Sequence, residues 1–193
     1  MKRNCVWCVL AAIVLVASVQ SAQAQIANVS RVRITQLQNE ALSIAELLAF
    51  DNGTNVALAT NGGVANQDSE GFGGAASRGI DGNTNGDYFG ANSTTHNLGG
   101  IGGFFEVTFS APAEIDSVQL FGRTDCCQPR DDSLTLTLFD GMGAVLLATP
   151  VSIPDDDQEV TVTFNAVPEP ATAALMGFGA VALASYGYRR RKS

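Results

Sequence analysis

Between residues 25 and 166 the chain has no lysine, one histidine and five arginines: Arg31, Arg33, Arg78, Arg123 and Arg130. Eighteen acidic residues share that stretch, so its net charge is −13, against −8 for the whole chain. Such a surface repels phosphate backbones and anionic bilayers, which excludes nucleic acid as a partner and suits divalent cations and export. Cysteine is equally scarce. Of four in all, Cys5 and Cys8 stand near the N-terminus, and only Cys126 and Cys127 lie in the central region. One histidine and two adjacent thiols make a poor zinc ligand set. No internal repeat and no heptad pattern is present, which excludes solenoids and coiled coils. No nucleophile-and-base arrangement stands out. Asp131-Asp132 and Asp155-Asp156-Asp157 read as solvated turns, and the expectation is that the protein is not an enzyme.

Long apolar runs occur only at the two ends. Lys2 and Arg3 precede an apolar run from Val6 to Val19, and Ala22-Gln23-Ala24 follows as a small-x-small cleavage pattern. Residues 1–24 therefore read as a secretory signal peptide, with an uncleaved anchor as the alternative. At the other end, Pro168-Glu169-Pro170 is followed by an apolar or small stretch from Ala171 to Tyr188, then Arg189-Arg190-Arg191-Lys192. As a helix, residues 171–188 would span about 27 Å, enough for a bilayer core, with the basic cluster left in the cytoplasm. Residues 167–193 resemble the PEP-CTERM sorting signal of Gram-negative bacteria. The resemblance implies recognition of Pro168, Glu169 and Pro170 by an exosortase-type enzyme and transient anchorage in the membrane. Release or attachment at the cell surface would follow. A permanent C-terminal anchor is the alternative.

The remaining residues, 25–166, are one domain's worth of chain. Val32 and Ile34 alternate with polar neighbours as in a strand. The apolar run from Leu42 to Phe50 fits a helix or a strand, and Asp51-Asn52-Gly53 after it favours a strand ending in a turn. Residues 59–100 read as a long, irregular, functional loop rich in Gly, Asn and Ser. Strands are expected at Phe104–Phe109, Ile115–Phe121, Leu134–Leu138, Ala144–Ala148 and Val160–Phe164, separated by turn signals such as Asp140-Gly141. Short strands at this spacing predict an all-β jelly-roll sandwich.

Two of the five arginines and both central cysteines fall in one stretch, Arg123-Thr124-Asp125-Cys126-Cys127-Gln128-Pro129-Arg130. Arginine presents a rigid fork of donors to hydroxyls, carboxylates or phosphates, and Asp125 can orient one by a bidentate pair. Adjacent cysteines in an exported chain pair with each other as a vicinal disulfide, an apolar, polarizable platform; two free thiols or an intermolecular bridge are the alternatives. The one histidine, His96, sits in a polar loop with little core to join.

The pattern of His96 after Ser93-Thr94-Thr95, followed 27 positions later by Arg123 and seven beyond that by Arg130, resembles the F-type lectin (fucolectin) domain. That family has the galactose-binding-like jelly roll of the discoidin relatives. The resemblance implies that His96, Arg123 and Arg130 hydrogen-bond an L-fucose-like sugar. It implies too that Asp125 braces the arginines and that a Cys126–Cys127 bridge packs on the sugar's apolar edge. It further implies a structural Ca²⁺ held by the Arg78 and Asn83 carbonyls, the Asp81 and Glu46 carboxylates and Ser93. An Asx-rich turn without metal is the alternative for Asp81–Gly86. The chain departs from the family in three places. Glu46 opens the domain where its counterpart usually closes it, as in a circular permutation. Phe104-Phe105 replaces tryptophans, and Asn92–Gly102 is glycine-rich. The expected function is an exported, fucose-type carbohydrate-binding domain acting on fucosylated or related glycans. A structural or adhesive matrix protein on the same fold is the alternative.

Overall fold

The computed structural model describes residues 25–155 and 158–164. Among the described residues nine strands form two antiparallel sheets. One has five strands in the order β4 (Val64–Gln67), β5 (Phe104–Ile115), β1 (Ile26–Gln36), β7 (Leu134–Phe139), β8 (Val145–Val151). The other has four, β3 (Thr54–Asn55), β2 (Ile44–Asp51), β6 (Ser117–Gly122), β9 (Glu159–Thr163). The all-β sandwich expected from the alternating pattern is present.

The core lies between the sheets. Val32, Ile34, Phe105, Val107, Leu134, Leu136 and Leu138 come from the larger sheet and Leu47, Val118 and Leu120 from the smaller, all buried. Side chains alternate across a strand, so each contributes every second residue to this layer. Each fully buried aliphatic side chain stabilises the fold by about 1.5–3 kcal/mol. Arg31 and Arg33 pair with Glu106 across β1 and β5, where Val32 and Val107 stand opposite each other. Their guanidinium groups lie 4.4 Å over Phe139 and 4.3 Å over Phe104, respectively. Two of the five central arginines thus serve the sheet.

Three expectations need correction. Residues 59–100 are not wholly irregular: β4 pairs with Phe105–Thr108, and one α-helical turn, α1 (Tyr88–Ala91), lies in the loop. β5 does not stop at Phe109 but continues through Pro112 to Ile115. Beyond Thr108 it has lost β4, so a proline there costs no ladder bond on that side. Asp131 is no solvated turn residue. It is 2% exposed, with its backbone carbonyl accepting from Ile153 N at 3.0 Å.

The register sets two poles. β1, β6 and β8 end at one pole, and β2, β5, β7 and β9 begin there. The β1–β2, β4–β5 and β6–β7 connections therefore meet at that end, where the candidate site lies.

Candidate functional site

β6 ends at Gly122 and delivers Arg123 into a cleft of about 720 Å³. The cleft is lined by Glu40 from the β1–β2 loop, Phe72, Tyr88, Phe89, His96 and Leu98 from the β4–β5 loop, and Arg123, Cys126, Cys127 and Arg130 from the β6–β7 loop. Five of the six sugar-site residues expected from sequence line one cavity, and Asp125 holds it from behind.

Arg123 is 4% exposed. Its Nε donates to Asp125 Oδ1 at 2.5 Å and its Nη2 to Asp125 Oδ2 at 3.2 Å, a two-point pair that fixes the plane of the guanidinium. The Arg123 Cζ lies 4.5 Å from the centre of the Tyr88 ring and 4.8 Å from that of Phe89. Asp125 Oδ2 also accepts from Phe89 N at 2.9 Å, so one carboxylate joins the arginine to α1. Hydrogen bonding from Arg123 holds the Asp125 carboxyl down at about 2, below the usual carboxylate range. The turn depends on Gly86. Thr124 N donates to the Gly86 carbonyl at 2.9 Å, and a Cβ on Gly86 would meet the Gly122 carbonyl at 2.4 Å.

His96 stands on the facing wall and is buried, contrary to the expectation of a residue with no core to join. Its backbone NH donates to the Gly74 carbonyl at 2.9 Å, and its carbonyl accepts from Gly71 N at 2.7 Å. A Cβ at Gly74 would lie 2.5 Å from that of His96, so only glycine fits. His96 Nδ1 is 2.6 Å from the Asn97 carbonyl, which can only accept; Nδ1 therefore carries the hydrogen and Nε2 keeps a lone pair. Burial lowers the imidazole pKa, and the positive charges of Arg123 and Arg130 lower it further. The ring is neutral at pH 7. It offers an acceptor where the arginines offer donors.

Arg130 Nε lies 3.4 Å from Glu40 Oε2. Asp125 braces Arg123 alone, and the expectation that it braces both arginines is corrected by this second ion pair. Cys126 and Cys127 are joined by a disulfide between neighbours, with Cα atoms 3.8 Å apart. Cys127 takes a left-handed φ of 67°, which turns the chain into the short 3-10 helix over Gln128–Asp131. The cleft thus has a charge-balanced polar floor and a disulfide wall. Its rim is apolar, with Phe72 83%, Phe89 78% and Leu98 69% exposed. Tyr88, Phe89, Phe72 and Glu40 are the site residues that sequence reasoning missed. The Tyr88-Phe89 pair inside an otherwise polar loop was the available signal.

The five residues expected to hold calcium are gathered only in part. Glu46, on the outward face of β2, is buried beneath the loop. Its Oε1 accepts from Gly82 N at 3.1 Å, and its Oε2 has no partner. Burial, and then the Asp81 charge, push its carboxyl up to about 7 against the Gly82 bond. The loop itself is a run of Asx turns: Asn83 N donates to Asp81 Oδ1, Asn85 N to Asn83 Oδ1 and Asp87 N to Asn85 Oδ1, at 2.8, 3.1 and 3.0 Å. The Ser93 hydroxyl turns to the Asn85 and Asp87 carbonyls, and the Arg78 side chain reaches the Thr94 carbonyl. Among the described residues no three His, Cys, Asp or Glu side chains cluster as metal ligands, so a cation here would need backbone oxygens.

Residues 166–192 match the family described as the PEP-CTERM protein-sorting motif. The motif marks an exported protein of the Gram-negative cell surface handled by exosortase-type processing. No curated protein and no solved structure matches the chain. Among the described residues no helix is long and apolar enough to cross a membrane. The expected signal peptide (1–24), the Pro168-Glu169-Pro170 motif and the apolar stretch 171–188 lie outside the described residues.

Proposed function

We propose that this exported chain is a carbohydrate-binding domain for a neutral, fucose-type sugar, on a jelly roll of the F-type lectin kind. One observation carries the reading: His96, Arg123, Arg130 and the Cys126–Cys127 bridge face the same cleft although 34 positions of sequence separate the first from the last. Arg123 and Arg130 donate to ring and hydroxyl oxygens. The free lone pair on His96 Nε2 accepts from a hydroxyl hydrogen. The disulfide takes the methyl-bearing edge of a 6-deoxy sugar. Two ion pairs cancel the charge of the floor, which favours a neutral ligand over an anionic one. On this reading the protein acts by binding rather than catalysis: the two acids at the cleft, Glu40 and Asp125, are each tied to an arginine, and Glu46 and Asp131, the carboxyls raised by burial, lie outside the cleft lining.

A structural Ca²⁺ belongs to this reading. The unpartnered, buried Glu46 Oε2 beside Asp81 is the oxygen a hard cation would complete. Glu46 and Asp81 would hold it with carbonyls of the 78–87 loop and Ser93, neutralising two acids under the loop that carries Tyr88 and Phe89.

The test is calorimetric titration of L-fucose into the purified, oxidised protein. Saturable heat that disappears in Arg130→Ala supports the reading, and no heat from folded protein sinks it. The matrix or adhesive role is the second reading, favoured by exposed Phe72, Phe89, Leu98 and Ile101 (73% exposed) around one end of the molecule.

A further inference from the structure

The cleft and the sorting motif leave the sandwich at opposite poles. β9 runs antiparallel to β6, with Glu159 opposite Phe121 and Thr163 opposite Ser117. The chain therefore enters β9 beside the cleft, where Gly122 N donates to the Gln158 carbonyl, and leaves it beside the start of β6. Six residues of strand put these ends about 17–20 Å apart. At the far pole Phe164 N donates to the Asp116 carbonyl at 2.9 Å, and the Asp116 carboxylate accepts from Asn52 N at 2.9 Å. The start of the domain is there too. Ile26 pairs with Ile115, and Gln25 Nε2 donates to Asn52 Oδ1 at 3.2 Å.

Only Asn165, Ala166 and Val167 separate Phe164 from Pro168. Fully extended, such a spacer reaches roughly 10–14 Å, less than the length of β6. A domain held by so short a tether cannot roll over to bring its opposite pole to the surface that holds it.

We propose that attachment through the C-terminal end of the domain, next to the sorting motif, holds it with the Asp116 pole towards the cell and the cleft outward. The cleft then takes a terminal sugar on a glycan of another surface, in trans, and not a glycan of the envelope that carries the chain. The identity of the ligand rests on the sugar reading above; the orientation does not.

Two exposed positions mark the poles: Ile101, next to Gly100 and Gly102, which bond to Glu40 and Gln36 at the cleft end, and Glu114 at the other. The full chain is expressed in a bacterium that sorts such proteins, as wild type, Ile101→Cys or Glu114→Cys. Intact cells are treated with a maleimide bearing a bulky polymer. Detergent-released protein treated alike serves as control. On cells Ile101→Cys should label several-fold more than Glu114→Cys, with equal labelling after release. Equal labelling on cells, the reverse order, or labelling of neither overturns the orientation. Fucose titration of the released protein is scored separately, so loss of the sugar reading and loss of the orientation are told apart.

Discussion

The Arg130 Nε stands 3.4 Å from the Glu40 carboxylate, so the second arginine of the cleft, like the first, faces an acid of its own. Both partners are part-exposed, so the pair adds little stability. Its effect is on selectivity, because it leaves the floor without net charge. Glu40→Gln frees one positive charge. We expect the variant to gain binding to a uronic acid or sialic acid while keeping fucose binding within a fewfold. Titration of both sugars into both proteins decides it, and an unchanged ratio of affinities rejects the charge-balance argument.

Arg123 and Arg130 should fail differently when truncated. Loss of a charged hydrogen-bonding group costs about 1.5–3 kcal/mol, or tenfold or more in affinity. Arg130→Ala should show that loss with little change in melting temperature, since its side chain is 31% exposed. Arg123→Ala also strips Tyr88, Phe89 and Asp125 of their shared partner, so stability should fall with affinity. Differential scanning calorimetry beside sugar titration separates the two. Equal melting points for the two variants would contradict the packing described for Arg123.

The Cys126–Cys127 bridge closes a minimal ring, and the stabilisation a disulfide gives by restraining the unfolded chain grows with the length of the loop it closes. Mild reduction should therefore leave the melting temperature within a few degrees. Sugar affinity should drop several-fold, because the cleft wall and the turn into Gln128–Asp131 are lost. Near-UV circular dichroism and titration before and after reduction measure this. Unfolding on reduction, or unchanged affinity, would show that the bridge is not a wall of a sugar site.

Where burial is one-sided, the fold was legible. Leu134, Leu136 and Leu138 alternate with threonines because β7 has one face in the core, and the pattern located that strand directly. β2 was ambiguous between helix and strand for a physical reason. Its outer face is also covered, by the 3-10 turn over Ala76–Ile80 and the loop after it, so Ala45 and Glu46 are as buried as Leu47. Arg123 and Arg130 were found by their rarity in an arginine-poor chain. Glu40 was not, because nothing in a run of polar residues tells which acid will meet an arginine 90 positions on. Asp131 reads as surface because its neighbours Asp132 and Arg130 look like surface, and only the bond from Ile153 N to its carbonyl and the convergence of Ile153, Gln158 and Asp131 on Gly122 show otherwise.

Calcium, if held by Glu46 and Asp81, will stabilise the fold by mass action. We expect chelator to lower the melting temperature by several degrees and added Ca²⁺ to restore it, with no response to Mg²⁺ at the same concentration. Glu46→Gln replaces the unpartnered carboxylate oxygen and should abolish the response while leaving the protein folded. A wild type indifferent to chelator would leave Asp81–Gly86 as a metal-free ladder of Asx turns.

Asp131 makes the apo fold sensitive to alkali. Burial raises its carboxyl to about 8, the Arg130 charge opposing and the Asp132 charge adding to the effect. In the unfolded chain the same group titrates at about 3.9. Between those values the folded state holds a proton that the unfolded state has released, so stability falls as pH rises. The contribution is full below pH ~4 and lost by pH ~8, at no more than about 1.4 kcal/mol per pH unit. Asp131→Asn keeps the shape and cannot ionise. Glu46, raised to about 7, loses stability over the same range, so the comparison is made in the Glu46→Gln background. Urea unfolding at pH 5 and pH 8, in chelator so that no metal contributes, should show Glu46→Gln weaker at pH 8 and the Glu46→Gln/Asp131→Asn double variant nearly level. A Glu46→Gln protein equally stable at both pH values would place Asp131 in contact with water or with a donor able to hold its charge. In that case the buried acid beneath Arg130 would help to position the cleft as a charge, not as a neutral group.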